Sequence, residues 1–241
     1  MSTLDNRQII LDTETTGINT MGIHYEGHRI IEIAAVEIIN RKITGNSFHT
    51  YVNPNRSVDS EAFHIHGISD KFLADKPTFS EIADKFIKYI KGTELIIHNA
   101  SFDIGFINNE FTILNLAVGK IENLCKIIDS LILARKIFPG KRNSLDALCS
   151  RYKIDNKQRE LHGALIDAKI LAKVYLAMTS GQTLIDFSSH NELNSFTNNN
   201  KTIIPQLSSL IVIKANEKEL LAHESQLDII TQSSGNCLWR K

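Results

Sequence analysis

The sequence predicts an α/β domain built on a mixed β-sheet, followed by a linker and a small C-terminal segment. Three β-rich segments follow one another near the N-terminus, with a turn signal before the third, which is typical of an antiparallel meander. Farther along, short apolar strands alternate with amphipathic helices, the pattern of an α/β domain. The polar stretch 188–201, which contains five asparagines, then separates this domain from the rest of the chain.

Five segments of the domain are rich in β-branched and other apolar residues, so we predict a five-stranded sheet flanked by helices. They are, in order, "RQIILDT", "HRIIEIAAVEII", "SFHTYVN", "ELIIH" and "CKIID". The first three are expected to form an antiparallel meander, with the turn before the third strand at Thr44–Gly45.

Helical periodicity marks the segments between and after these strands. Thr78 and Glu81 match a capping box at the start of a helix that ends before Gly92. Its apolar residues recur three and four positions apart; they are Phe79, Ile82, Ala83, Phe86, Ile87 and Ile90. Further helices are predicted at "FDIGFINNEF", "SLILARKIF", "SLDALCSRY" and "GALIDAKILAKVYLAM".

These patterns divide the chain into a domain at residues 1–180, a flexible linker at 181–206 and a segment at 207–241. Within the last, "LIVIKA" is strand-like and a capped helix follows. So short a segment cannot bury a core alone, so its apolar residues need a partner surface or must fold back on the domain. They are Leu210, Ile211, Ile213, Leu220, Leu227, Ile230 and Trp239.

Composition and charge limit the classes of function. Lys+Arg and Asp+Glu balance at 27 each, which argues against a large non-specific phosphate-binding face. It does not exclude nucleic acid, because a site for a few nucleotides can use metal ions for charge. The three cysteines form no C-x-x-C motif, so neither a zinc cluster nor a disulfide framework is predicted. Without a signal-peptide core or an apolar run of about 20 residues, we expect a cytoplasmic protein.

The first strand leads into two carboxylates, Asp12 and Glu14. Side chains alternate along a strand, so these two acids share a face and repel each other. The "TTG" that follows is a turn signal. On this motif alone, the better interpretation is a strand that has already ended, with both acids in solvent.

A third acid changes that interpretation. Asp167 lies in the apolar stripe of the last helix of the domain, three residues after Ala164 and four before Leu171. No arginine or histidine is placed on this helix face to neutralise it, so a divalent cation with oxygen ligands is the economical partner. Asp103 opens another helix; the helix dipole accounts for it, yet α/β sheets also build their sites at this position.

His162 precedes the helix of Asp167. Five helical residues turn through about 500°, so the two would not share a face, and Gly163 indicates that His162 lies on the entering loop. From there it could accept a proton from water near neutral pH. Four carboxylates and a histidine fit a two-metal phosphodiester hydrolase, in which cations offset the repulsion between the acids.

Three motifs, "DTETTG", "HNASFD" and "HGALIDA", resemble in order the motifs of the DEDDh 3′→5′ exonucleases, the third in its H-x4-D form. "EAFHIHGIS" and "GKRNSLDALCSRY" match further segments of that family. The resemblance covers about residues 7–179 and extends into the tail, which is the linker and the C-terminal segment together. It implies a ribonuclease-H-like fold that releases nucleoside 5′-monophosphates from a single-stranded or frayed 3′ DNA end.

The resemblance also implies a set of metal ligands. Asp12, Glu14 and Asp167 would bind one of two divalent cations, Mg²⁺ or Mn²⁺, and contact the substrate. Asp12 would bridge to the second cation, which Asp103 would help to hold, mainly through water. His162 would be the general base of the reaction.

For the substrate, the resemblance implies that Glu61 and His66 contact the terminal nucleotide. His64 is a similar residue two positions before His66, and the sequence does not separate the two. Glu32 and His98 lie beside the motifs, and we interpret both as structural.

The tail implies partners. "QTLIDF" is similar to a sliding-clamp peptide in which Gln182, Ile185 and Phe187 make the contacts, with Ile185 replacing the usual Leu or Met. Residues 207–241 resemble the part of the proofreading members that binds the alpha subunit of the polymerase. A small accessory subunit is a further candidate partner, and no membrane is expected.

Two alternatives stay open. One is a stand-alone DEDDh exonuclease acting on RNA or short oligonucleotides; the catalytic motifs do not distinguish it, although the linker and apolar tail argue against it. The other is a non-catalytic module that binds nucleic-acid ends. Such a module would be expected to have lost a carboxylate or the histidine, and all are present.

Overall fold

The computed structural model describes residues 7–156, 161–180 and 215–240. The chain divides into two compact units, Met1–Leu184 and Ile185–Lys241. The first unit contains a sheet whose strands are β1 (Arg7–Thr15), β2 (Ile30–Ile39), β3 (Lys42–Tyr51), β4 (Glu94–Ile97) and β5 (Lys126–Asp129).

Strand β1 is the centre of this sheet, whose order is β3-β2-β1-β4-β5. It pairs antiparallel with β2 and parallel with β4, while β2 and β3 are antiparallel and β4 and β5 parallel. The predicted mixed, five-stranded sheet is therefore confirmed. Ile9, Ile10 and Leu11 of β1 are fully buried, because both faces of the strand are covered.

The turn between β2 and β3 differs from the prediction at Thr44–Gly45. It lies at Asn40 and Arg41, which both adopt positive φ angles of 49° and 63°, as a two-residue hairpin turn requires. Gly45, with φ 86°, lies inside β3 where the pairing register with β2 shifts. The glycine thus marks a β-bulge, a local signal that resembles a turn in the sequence.

Helices cover both faces of the sheet. They are α1 (Ser60–His66), α2 (Asp70–Leu73), α3 (Phe79–Ile90), α4 (Ala100–Ile113), α5 (Ser130–Ile137), α6 (Leu145–Tyr152) and α7 (Ala164–Thr179). The predicted capping box of Thr78 and Glu81 opens α3. Helices α1 and α2 are not among the predicted elements, because seven and four residues are too few to display a helical period.

The alternation of side chains along β1 decides which helix each residue faces. Ile9 belongs to the core cluster that β1 shares with α3 and α4. Ile10 belongs to the cluster shared with α6 and α7. Asp12 and Glu14 continue the face of Ile10, and Thr13 continues the face of Ile9. The two acids therefore face α7, whereas Thr13 faces α4.

The second unit is described from residue 215 onward. Helix α8 (Glu217–Ser234) begins at the predicted capping pair Asn216 and Glu219, and Arg240 ties a short 3₁₀ turn back to Asp228. Its exposed apolar side chains are Leu220, Leu221, Ile229, Leu238 and Trp239. In the described part of the chain, no helix has the length and apolar character that a membrane span requires.

Several predictions fall on residues outside the described part of the chain. These are the linker 181–206, most of the strand-like "LIVIKA" and the clamp motif with Gln182, Ile185 and Phe187. Their structural assignments and the proposed domain boundaries stay predictions.

Candidate active site

Strand β1 carries two acids into the site. It extends to Thr15, and Glu14 lies opposite Glu32 of β2 in the sheet register. Asp12 and Glu14 are both half-buried. The interpretation in which the strand ends before them and leaves both in solvent is therefore wrong.

Helix α7 and the loop before it supply the next two groups. Asp167, which is 4% exposed, lies in the first turn of α7, and His162 lies on the preceding loop, as the sequence predicts. The Nδ1 atom of His162 is 3.3 Å from Oδ2 of Asp167. The sequence placed no histidine on the helix face of Asp167, and His162 instead reaches this carboxylate from the loop, a contact that helical periodicity does not reveal.

Buried Glu32 fixes the start of α7. Its Oε2 accepts a hydrogen bond of 3.1 Å from the backbone N–H of Ala164, and its Oε1 is 2.7 Å from Nε2 of His49. The loop is held as well, since the backbone N–H of His162 donates to the carbonyl of Ile65 at 3.1 Å. These contacts agree with the structural interpretation of Glu32, which orients the helix that carries Asp167.

Helix α4 brings Asp103 to the same strand end from the other face of the sheet. Asp103 is 3% exposed, and Oγ1 of Thr13 donates a hydrogen bond of 2.7 Å to its Oδ1. Because Thr13 lies between Asp12 and Glu14 on β1, this bond holds α4 against the strand at the point where the acids converge.

Burial and mutual repulsion shift the pKa values of these acids. Burial raises the pKa of Asp103 to about 7, against the opposing effect of the Thr13 hydrogen bond. Burial also raises the pKa of Asp12 well above its ordinary value. Repulsion adds to that shift, and its sources are the carboxylates of Asp103, Glu14, Asp167 and Glu32.

The donor set fits divalent cations. Glu14, His162 and Asp167 each offer one ligand atom, and these atoms lie within 4.8 Å of one another. Carboxylate oxygens are the ligands that hard cations such as Mg²⁺ prefer. Cations bound here would offset the repulsion that raises the pKa of Asp12.

Two cavities meet at the acidic cluster. A cleft of about 700 Å³ contains the five predicted catalytic and metal-binding residues. A smaller pocket of about 270 Å³ shares Thr13, Glu14 and Phe102 with this cleft. The cleft also contains three basic residues that were not predicted, Arg135, Lys141 and Arg142. The adjacent basic residues in "GKRN" are a sequence signal for the last two.

The smaller pocket contains both predicted nucleotide-binding residues, Glu61 and His66. His64 is exposed and does not line this pocket. The two histidines lie on helix α1, where positions two residues apart differ by about 200°. Burial lowers the pKa of His66, so its ring is neutral at physiological pH and presents little charge to a bound ligand.

Comparison with known proteins gives the class of this domain. Residues 9–175 match the RNase_T family model, described as an exonuclease. The nuclease domain of 3′hExo, a DEDDh family member bound to rAMP, has a TM-score of 0.62 and 21% identity, covering 75% of this chain and 94% of that one. Exonuclease X in complex with 5′ overhanging duplex DNA has a TM-score of 0.54 and 28% identity, with 72% and 91% covered. The family match identifies an exonuclease domain, and its fold is that of the DEDDh nuclease domain.

Relatives of known identity extend this comparison over the whole chain. The DNA polymerase III subunit epsilon of Salmonella typhimurium is 59% identical over 242 residues, covering 100% of both chains. The corresponding subunit of Escherichia coli K12 is 57% identical with the same coverage. The chain belongs to the exonuclease family and, within it, to the epsilon subunits of DNA polymerase III. It is a 3′→5′ proofreading exonuclease.

The raised pKa of Asp103 makes the metal-free protein less stable as the pH rises. The folded state holds this proton more tightly than the unfolded chain, so stability falls between about pH 4 and about pH 7. Asp103→Asn keeps an acceptor for Thr13 without the charge. Over this pH interval we expect the unfolding free energy of the variant to fall less than that of the wild type, by at most about 4 kcal/mol. Urea titrations in the presence of a chelator measure this difference.

The matched control is Asp84→Asn, at an exposed position of α3. This variant is expected to follow the pH dependence of the wild type. An Asp103→Asn protein that loses as much stability as the wild type over this pH interval would contradict the electrostatic account.

Proposed function

We propose that this exonuclease removes nucleotides from a single-stranded or frayed 3′ DNA end, as 5′-monophosphates, by two-metal hydrolysis with His162 as the general base. The observation that carries the proposal is the convergence of Glu14, His162 and Asp167 within 4.8 Å, beside Asp12. A hydrolytic centre of this kind needs clustered oxygen ligands and a proton acceptor in one cleft.

The proposed metal ligands come from three elements. Asp12, Glu14 and Asp167 would hold one divalent cation, and Asp12 would bridge to a second that Asp103 helps to hold, mainly through water. When bound, Mg²⁺ or Mn²⁺ would activate water and stabilise negative charge on the phosphate and the leaving oxygen. The raised pKa of Asp12 supports this assignment, since its causes are burial and the repulsion of neighbouring carboxylates, both of which a bound cation would offset.

In this proposal His162 takes the proton from the attacking water. Its side chain is 48% exposed and lines the cleft, so it can contact solvent. The contact between Nδ1 and Asp167 orients the ring, and a carboxylate partner stabilises the imidazolium that forms when the proton is taken.

We assign the terminal nucleotide to the smaller pocket, in contact with Glu61 and His66. This pocket shares Glu14 with the acidic cleft, so a nucleotide placed there would have its phosphodiester bond near the proposed ligands. A terminus must be unpaired to enter, and a mispaired end costs less free energy to unpair than a matched one. Selectivity for mispairs would follow from this difference.

For partners, we propose the alpha subunit of DNA polymerase III through residues 207–241, and the sliding clamp through Gln182, Ile185 and Phe187. The relatives are named as subunits of that polymerase. Helix α8 and the following turn expose large apolar side chains such as Leu221 and Trp239, which suits a protein interface. A small accessory subunit on the domain is a further proposed partner.

Asp167→Ala is expected to abolish the nuclease activity, since it removes a proposed ligand while the fold is kept. The assay follows shortening of a 5′-labelled DNA primer with a matched or mispaired 3′ end, with and without Mg²⁺ or Mn²⁺. Wild-type protein should act only with metal and faster on the mispair, and Asp84→Ala should match it. An RNA primer of the same sequence tests the stand-alone alternative. Full activity of Asp167→Ala would contradict the metal-site assignment.

His162→Ala is expected to slow the reaction by roughly 10²–10⁴-fold, the range for loss of a general base. Single-turnover rates on the labelled primer measure this effect, with exposed His64→Ala as the control. The variant should also regain part of its rate as the pH rises, because hydroxide replaces the missing base. A variant rate equal to that of the wild type would assign the proton transfer to another group.

Deletion of residues 207–241 is expected to leave exonuclease activity on the primer and to abolish binding of the polymerase. Co-purification with the polymerase alpha subunit and the primer assay measure the two functions separately. A truncated protein that still binds the polymerase would overturn the proposed division between the domain and the segment.

A further inference from the structure

The cleft that holds the acidic cluster has a basic wall, formed by Arg135, Lys141 and Arg142. Arg135 lies on α5, and the other two lie on the loop between α5 and α6. All three residues are exposed, and none of them forms a salt bridge within the described part of the chain. Their charges are therefore available to a ligand in the cleft.

A buried residue, Asn143, holds the loop that carries Lys141 and Arg142 through hydrogen bonds. This residue is 7% exposed, and its side-chain amide donates to the carbonyls of Phe138 at 3.2 Å and Lys141 at 3.0 Å. Its own carbonyl is 3.0 Å from Nε2 of His98. Since His98 directly follows strand β4, the loop is tied to the same end of the sheet as the acidic cluster.

Arg151 of α6 fixes the loop a second time. Its guanidinium donates to Oδ1 of Asn143 at 3.2 Å and to the carbonyl of Arg142 at 3.0 Å. It also lies 4.1 Å from the ring centroid of Phe138. The backbone of the loop is thus held by side-chain contacts, so Lys141 and Arg142 extend from a fixed position beside the cleft.

A DNA strand needs a local attraction to enter this cleft. The chain has a formal net charge of 0, so its net charge does not attract DNA. The cleft itself contains the carboxylates of Asp12, Glu14, Asp103, Asp146 and Asp167, and these acids oppose the entry of phosphate groups that are not bound to a cation. Positively charged side chains in the same cleft can offset this repulsion.

We propose that the basic wall binds phosphate groups of the DNA strand on the 5′ side of the scissile bond. The inference rests on the proposed function, which places the terminal nucleotide in the smaller pocket beyond Glu14. The strand then leaves through the larger cleft and passes Arg135, Lys141 and Arg142. The basic wall contributes affinity for the strand, independently of its sequence, and the acidic cluster contributes the chemistry.

The test compares the wild type with Lys141→Ala/Arg142→Ala in the full-length protein. Steady-state constants are measured with Mg²⁺ on a thymidine octanucleotide and on the dinucleotide, whose only phosphate is the scissile one. The double variant is expected to raise KM on the octanucleotide roughly tenfold more than on the dinucleotide. The slope of log(1/KM) against log[KCl] on the octanucleotide should become shallower, by about 0.7 for each lost phosphate contact.

The matched control is Lys85→Ala/Lys88→Ala, which removes the same charge from exposed positions of α3 and should leave both constants and the salt slope unchanged. Arg142→Lys with Lys141 intact should restore most of the salt slope, because the charge is kept. An unchanged octanucleotide KM and salt slope, or an equal loss on both substrates, would overturn the proposal. Failure of the proposed function is distinct, since the wild type would then cleave neither substrate.

Discussion

The repulsion among carboxylates at the end of β1 is the constraint around which this domain is arranged. Burial raises the pKa of Asp12, and the neighbouring carboxylates of Asp103, Glu14 and Asp167 raise it further. Such a cluster persists only if the surrounding core is stable enough to hold the acids in place. The fully buried Ile9, Ile10 and Leu11 and the helices on both faces of β1 provide that support.

The position of β1 in the sheet also explains how acids distant in sequence meet. Its alternating side chains direct Asp12 and Glu14 toward α7 and Thr13 toward α4. Helix α7 contributes Asp167 from one face, and the Thr13 hydrogen bond fixes Asp103 of α4 on the other. One central strand therefore sets the geometry of groups from both layers, which an edge strand such as β3 could not do.

The parts of the site that follow the two-residue period of a strand or the 3.6-residue period of a helix were predictable from the sequence. The two-residue spacing of Asp12 and Glu14 gave their common face, and helical periodicity placed Asp167 toward the core. Contacts made by irregular segments were not predictable. No period relates His162 to Asp167, because the 3.3 Å contact between them depends on how a loop is tied to Ile65.

Similar limits apply to the other misses. Gly45 resembles a turn residue although it forms a bulge, since both positions need the same positive φ. His64 and His66 look equivalent at strand spacing, and only the short helix α1 directs them apart. The order of the three family motifs supplied what periodicity could not, namely that Asp103 and His162 belong to one site.

The distribution of charge separates the chemistry from the affinity. The acidic cluster must concentrate negative charge to hold cations, and this weakens the attraction for the DNA that it cleaves. A basic wall in the same cleft offsets part of that cost near the strand, while the chain as a whole stays neutral. A domain that binds DNA through only a few cations would act most efficiently where a 3′ end is delivered at high local concentration. The proposed attachment to a polymerase through residues 207–241 would meet that requirement without increasing the affinity of the domain for matched DNA.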